Sequence, residues 1–425
     1  MSSALLSCLA TTGPMAEIFS DSSVLQAMLD FESALARAEA LAGLIPVTAA
    51  EAIGAAARPE NFDAAEIACH AMAVATPAIH LVKLLADRVR TADTASAGFV
   101  HWGATSQDVT DTAMVLLLRR ARAVLAGDQQ RLRASLRRLS DEHAATPMLS
   151  RTLLQPSPPV TFGLKAAGWL AAITLGWRRV ESAFEDALVL QFGGASGTLA
   201  ALGNRGPEVS AALARELGLK DPAAPWHAHR GRLAALLASS AIYVGSLGKM
   251  ARDIALLMQF EVGEVAEPGG GSSTMPHKRN PSGCAIVLAA ANRMPGLVAS
   301  FLSGMVQEQE RAAGGYQAEW PVVAGAIQTT GAAASAAARV VENLHVFPER
   351  MRANIAATRG TVFAERAMMA LATKMGRENA HRRIEEGLAS GQPLNEVAGV
   401  DLPDLESPEA YLGSAEHYRK RLIED

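Results

Sequence analysis

Thirteen residues from Gly269 to Pro281, read Gly-Gly-Gly-Ser-Ser-Thr-Met-Pro-His-Lys-Arg-Asn-Pro, concentrate the groups that could do chemistry. Glycines reach backbone angles closed to other residues, while Pro276 and Pro281 fix φ and interrupt any helix. The segment reads as a Gly-hinged loop ahead of a helix, presenting Ser272, Lys278 and Asn280 to an anion. A basic surface turn is the competing use of a Gly/Pro-rich stretch. A solvated turn has no need of two serines, a lysine and an asparagine together, so anion handling is the reading adopted.

Two further segments carry the same kind of groups. His101-Trp102-Gly103-Ala104-Thr105-Ser106-Gln107-Asp108 stands just before a long helical pattern, where hydroxyls and amides at a helix N-terminus make an anion site. Arg151-Thr152-Leu153-Leu154-Gln155-Pro156 runs on to Thr161-Phe162-Gly163, and its Thr152 and Gln155 suit neutral carboxylate binding. Glu308, Glu310 and Arg311 are expected to end a helix, with Arg311 either reaching a substrate or joining a surface salt-bridge face. Gly193 to Thr198 lacks the strand-to-helix setting of a nucleotide loop and reads as a turn or subunit contact. His227 and His229 have no third ligand at useful spacing, so no metal is expected there.

Taken in order, these three segments resemble the three motifs of the fumarase/aspartase superfamily, which includes adenylosuccinate and argininosuccinate lyases. The resemblance covers nearly the whole chain. It implies an anti elimination or addition beside a carboxylate, with Ser272 handling the carbon-bound proton. Nearby cations and exclusion of water would activate that otherwise poor acid or base. It further implies that Ser273 is an oxyanion donor, and that Lys278 and Asn280 hold the carboxylate as it becomes an enolate-like dianion. Thr105, Ser106, Thr152, Gln155, Met275 and Arg311 become substrate-binding positions. His101 is either a second acid/base group or a carboxylate ligand, and Arg279 is structural or exposed.

The departures from the pattern are informative. Many lyases of this superfamily have histidine where Leu153 stands, in a Thr-His-Leu-Gln pattern, and glutamate where Ala285 stands. That pair helps water or an amine to add or leave. Its absence argues for a nucleophile already ionised at pH 7, such as a carboxylate. A tethered carboxylate adding across a double bond makes a lactone, so the chain resembles the lactone-forming cycloisomerase branch, which acts on a dienoic tricarboxylate. Leu29 to Glu39, Trp226-His227, Gly248-Lys249 with Ala251-Arg252-Asp253, and Glu319-Trp320 follow that branch. Gln309 and Gln317, where it often has histidine, and Tyr316, where it often has tryptophan, do not. The alternatives are a lyase acting on a succinyl-type substrate, including one that expels nitrite, and a cycloisomerase of a sulfonated analogue. From another class comes a silent structural oligomer, against which Ser272, Lys278 and Asn280 argue. No metal or organic cofactor is expected.

The elements that must position these groups are helices. The chain has 425 residues, 49% apolar and 19% charged, which exceeds what one core holds and predicts two or three domains. A net charge of −4 gives no support for nucleic acid or an acidic membrane as partner. Three scattered cysteines, Cys8, Cys69 and Cys284, suit a reducing cytoplasm. The short apolar stretch Ala4 to Ala10, with no basic residue before it, is not read as a signal peptide. The longest uncharged run, Trp320 to Ala338, is too polar for a membrane span and reads as a buried soluble helix. Apolar residues at helical spacing predict five long helices, roughly Asp108 to His143, Pro159 to Leu190, Arg230 to Val262, Ser282 to Gln307 and Pro321 to Phe347. Pro159 and Pro321 are expected in first turns, and Pro295 is expected to kink the fourth helix. The fold class is all-α, with domains at 1–99, 100–347 and 348–425, the middle one a long-helix bundle. Ala-rich faces on several sides predict more burial than one chain supplies. They point to the homotetramer of the resembled superfamily, in which the three motifs meet from different subunits.

Overall fold

The computed structural model describes residues 4–269, 271, 274–275, 278–392, 394–398 and 404–424. Five long helices dominate it: Ser106–Glu142, Phe162–Ala187, Gly231–Leu257, Ser282–Ser303 and Gly315–Glu342. The first has 37 residues, about 55 Å of rod at 1.5 Å per residue. The all-α expectation holds. Extended strands form two short antiparallel pairs, Pro147–Thr152 with Gln155–Thr161 and Val265–Ala266 with His345–Val346.

Three helix ends differ from the sequence expectation. Pro159 does not start a helix; it lies in the hairpin, opposite Leu149. A two-stranded ribbon has free edges, where the missing N–H of proline costs no ladder bond. The helix starts three residues on, where the Thr161 hydroxyl accepts the Leu164 N–H at 3.1 Å, a side-chain cap. Pro321 lies inside the Gly315–Glu342 helix, past its first turn. The fourth helix stops at Ser303, so Glu308, Glu310 and Arg311 belong to the following loop. Pro295 is inside that helix.

The chain divides into two compact units. Met1–Asp128, Gly176–Gly245 and Ala289–Ser335 form the first; Gln129–Leu175, Ser246–Leu288 and Ala336–Asp425 form the second. In the first, Leu29, Phe31 and Leu35 of the Asp21–Leu41 helix share a buried core with Leu117, Phe192 and Leu213. In the second, Leu149 joins Ile355, Phe363, Leu371, Ile384 and Leu394.

Burial of the Ala-rich helices is uneven. In Gly315–Glu342, Thr329 to Ala334 and Ala336 to Ala338 are buried within one chain. A Cβ at Gly331 would stand 2.7 Å from Met15 Cγ, so this close approach requires glycine. The same helix leaves Ala318 and Pro321 exposed and Val322, Ala324 and Gly325 half-buried. Gly231–Leu257 and Ser282–Ser303 are long and apolar enough to cross a membrane by length and composition alone. Their most apolar windows are 56% and 22% buried, respectively.

Candidate active site

In the first unit the site is built around Asp108. Thr105 is the cap residue of the Ser106–Glu142 helix, and Asp108, three positions on, reaches back to accept the Thr105 N–H at 3.0 Å. This is half of a capping box. The same buried carboxylate accepts the N–H groups of Gly193 at 3.0 Å and Gly194 at 2.9 Å, and its Oδ1 lies 2.7 Å from His227 Nε2. Gly193 and Gly194 are therefore a turn tied to the first motif. Glycine is required at both. A Cβ at Gly193 would stand 2.7 Å from His227 Cε1, and one at Gly194, where φ is +67°, 2.7 Å from the Gly103 carbonyl. His227 spends a ring nitrogen on Asp108, which explains it without a metal.

Beneath this lies a buried ionic network. Arg230 donates to both oxygens of Asp111 at 2.8 Å and through Nε to Glu319 at 2.8 Å. Two carboxylates hold the guanidinium charged although burial opposes it. Gln107 donates to Asp111 at 3.1 Å and to the His227 carbonyl at 2.9 Å, and accepts from Arg311 Nε at 3.1 Å. Arg311 also donates to the carbonyls of Gly194 and Ala195 at 3.3 and 3.2 Å. The structure thus brings Arg311 to the first motif, from a loop rather than from a helix end. Burial raises the pKa of the Tyr316 phenol. His101 is held by Glu32, with Nδ1 2.6 Å from Oε1.

In the second unit Thr152 and Gln155 face each other across a two-residue turn. Leu153 and Leu154, at φ +51° and +65°, both take the left-handed conformation of the tight hairpin turns that favour Asn-Gly. Both side chains are exposed, Leu153 by 96%. Arg151 anchors the hairpin through a two-pronged pair to buried Glu264 at 2.8 and 3.0 Å, and Glu264 also accepts from Asn354 at 2.8 Å. Met275 and Lys278 are exposed, Asn280 is half-buried and Ala285 is exposed. Ser272 and Ser273 lie outside the described residues.

At the first motif, read as an anion site made by a helix N-terminus, the Thr105 amide is taken by Asp108. The helix after the signature loop behaves likewise. Glu267, its pKa raised by burial, accepts the Gly283 N–H at 3.1 Å from both oxygens. Of the candidate residues, His101, Thr105, Ser106 and Arg311 belong to the first unit, and Thr152, Gln155, Met275, Lys278 and Asn280 to the second.

Sequence reasoning did not single out Asp108, Asp111, Arg230, Glu267 or Glu32 for these roles. One signal was available: Asp108 and Asp111 stand three apart at a helix start, one acid more than capping needs. Elsewhere, Glu66, His70 and His80 cluster on the Ala64–Val74 and Ala78–Ala92 helices. The two rings stack at 3.7 Å and 7°. Their in-plane lone pairs run parallel instead of converging, so this geometry does not make a cation site.

A long-helix bundle with a Gly-rich signature segment and two polar motifs ahead of it defines an enzyme of the helical lyase class. The chain belongs to that class: a family model described as Lyase matches residues 9–296, and the superfamily is the fumarase/aspartase one. It is 45% identical to a 3-carboxy-cis,cis-muconate cycloisomerase of Pseudomonas aeruginosa, over 96% of this chain and 94% of that protein. It is 39% identical to a nitrosuccinate lyase of Streptomyces davaonensis, over 97% and 93% of the two. The crystal structure of the 3-carboxy-cis,cis-muconate lactonizing enzyme from Pseudomonas putida matches with a TM-score of 0.93 at 42% identity, covering 99% of this chain and 98% of that one.

Proposed function

We propose that the protein is an intramolecular lyase, a cycloisomerase that converts 3-carboxy-cis,cis-muconate to 4-carboxymuconolactone. The observation that carries the reading is Leu153. The hairpin turn that presents a histidine base in many superfamily lyases here presents an exposed aliphatic side chain, and Ala285 replaces the glutamate partner. A substrate carboxylate needs no such base. It attacks the alkene carbon, the displaced electron pair moves into the neighbouring carboxylate as an enolate-like dianion, and Ser272 delivers a proton to the adjacent carbon. Lys278 and Asn280 hold the dianion, with Ser273 as a further donor. Thr105, Ser106, Thr152, Gln155, Met275 and Arg311 hold the rest of the substrate. Tethering of the nucleophile supplies much of the rate.

The working enzyme is a cytoplasmic homotetramer with sites shared between subunits, in three segments at 1–99, 100–347 and 348–425. The thinly buried apolar helix Ser282–Ser303 supports the association, because a face of that character is covered in a stable soluble assembly.

The test is loss of the conjugated-diene absorbance of 3-carboxy-cis,cis-muconate with formation of a lactone. Ser272→Ala should lower turnover at least about a hundredfold, the scale of a positioned proton donor, while substrate still binds. A second reading, nitrosuccinate lyase chemistry, is favoured by the 39% identical relative and by nitrite leaving without a proton. Nitrite release from nitrosuccinate with no reaction on the muconate would establish it instead.

A further inference from the structure

The Asp21–Leu41 helix carries two carboxyl groups that the mechanism above does not use. Glu32 and Glu39 stand seven residues apart, two turns along one face, and both are sealed from solvent. Glu32 Oε2 has no hydrogen-bond partner, and neither oxygen of Glu39 has one. A buried carboxyl group without a donor does not readily keep a charge. Glu39 gives way: burial, and then the charge of Glu32, push its pKa up to about 9. Glu32 pairs with His101 through its other oxygen.

The imidazole responds in turn. Burial drives its pKa down, but the charge and hydrogen bond of Glu32 and the charge of Asp108 reverse this, and the net pKa is raised. The groups facing it are Glu32 on the Asp21–Leu41 helix, with Glu39 behind, and Asp108 on the Ser106–Glu142 helix. His101 has φ +60°, a left-handed conformation that few residues with a side chain adopt. Its side chain is 18% exposed and that of Glu32 is 0%, so the ring lies between the buried carboxylate and the surface. Nδ1 is spent on Glu32, which leaves Nε2 for a ligand.

We propose that Glu32 is a positioning residue for substrate binding: it holds His101 as an imidazolium whose Nε2–H donates to a carboxylate of the substrate. The proposal rests on the carboxylate-substrate reading above and excludes a base role for His101. An imidazolium has no lone pair to take a proton, so in this state His101 is not a base.

Deuterium exchange at the imidazole C2 position, followed peptide by peptide by mass spectrometry, reads the ionisation of His101 in the free enzyme without turnover. The wild type should titrate above the ordinary histidine value of about 6.5, and Glu32→Gln should titrate below the wild type. Glu32→Gln should also weaken equilibrium binding of 3-carboxy-cis,cis-muconate to a Ser272→Ala background at least about tenfold, the scale of a lost charge-assisted hydrogen bond. The alkaline loss of that binding should begin at lower pH, and Glu32→Asp should restore part of the affinity. In the same background, Glu32→Gln combined with His101→Gln should bind no worse than His101→Gln alone. An unshifted His101 titration, or additive losses, overturns the proposal. If Glu32→Gln does not fold, the wild-type profile still decides: a midpoint at or below the ordinary value overturns it. A failed lactone assay alongside the shifted His101 titration would count against the function and not against this ion pair.

Discussion

Glu39→Gln should stabilise the protein at neutral pH, by an amount that depends on pH in a calculable way. In the folded chain the Glu39 carboxyl is fully buried without a hydrogen-bond partner, and its pKa is raised from 4.5 to about 9 by burial and by Glu32. In the unfolded chain it ionises at its ordinary value. A carboxyl whose folded pKa is raised costs nothing below the unfolded pKa; the cost grows as pH rises toward the folded one. At pH 7 the two and a half units above 4.5, at 1.36 kcal/mol each, amount to roughly 3 kcal/mol, and at pH 5 to less than about 1 kcal/mol. Glutamine removes the titration and leaves a buried amide whose own cost does not change with pH. The stability gap between variant and wild type should therefore widen in favour of the variant by roughly 2–3 kcal/mol between pH 5 and pH 7. Denaturant unfolding at several pH values and one protein concentration measures it. A gap that stays constant over that range would refute the reasoning, because it would mean that Glu39 ionises alike in both states.

Arg230→Met should destabilise the fold by about 3–5 kcal/mol, because it leaves Asp111 and Glu319 buried without their shared countercharge. A shift of the unfolding midpoint below about 1 kcal/mol would mean that water replaces the guanidinium there. Of the three thiols, Cys8 and Cys69 are exposed and Cys284 is buried, with a pKa pushed up to about 12 by burial and then by the charge of Glu267. A thiol-reactive dye should therefore label two cysteines quickly and the third only on unfolding; three fast thiols in native protein would contradict the packing around Gly283 and Cys284.

The five long helices were legible because apolar residues repeat at helical spacing over more than twenty positions, a signal that local exceptions do not erase. Their ends were less legible, because proline marks a helix start and an edge strand alike. Pro159 proved to be the second kind. The motif residues were visible by type, yet the groups that hold them were not. Arg230 and Asp111 are 119 positions apart, Arg230 and Glu319 are 89, and Glu32 and His101 are 69. Pairings of that range leave no local pattern. Nor does Leu153-Leu154 announce a left-handed turn, since leucine is among the residues least expected there. It is the antiparallel register, pairing Thr152 with Gln155, that imposes the turn.

The structure also bears on how a site for a multiply charged anion can work in a chain whose net charge is −4. Helix N-termini are the usual uncharged source of positive potential. Here each of the two that flank the motifs has an amide taken from within: Asp108 accepts the Thr105 N–H, and Glu267 accepts the Gly283 N–H. These internal carboxylates fix the geometry of the motif segments, and they oppose the field a substrate would feel. In the proposed reading, attraction comes from cationic side chains that are not neutralised by a carboxylate in direct contact. Arg311 meets that condition, because its hydrogen bonds go to an amide oxygen and two backbone carbonyls and its full charge remains available. Lys278 meets it by exposure. His101 is the opposite case: it owes its charge to Glu32 and can offer a substrate a directed N–H more than a net field. The proposed reading thus assigns long-range attraction to Arg311 and Lys278, and orientation to His101 and the hydroxyls, as separate functions of separate residues.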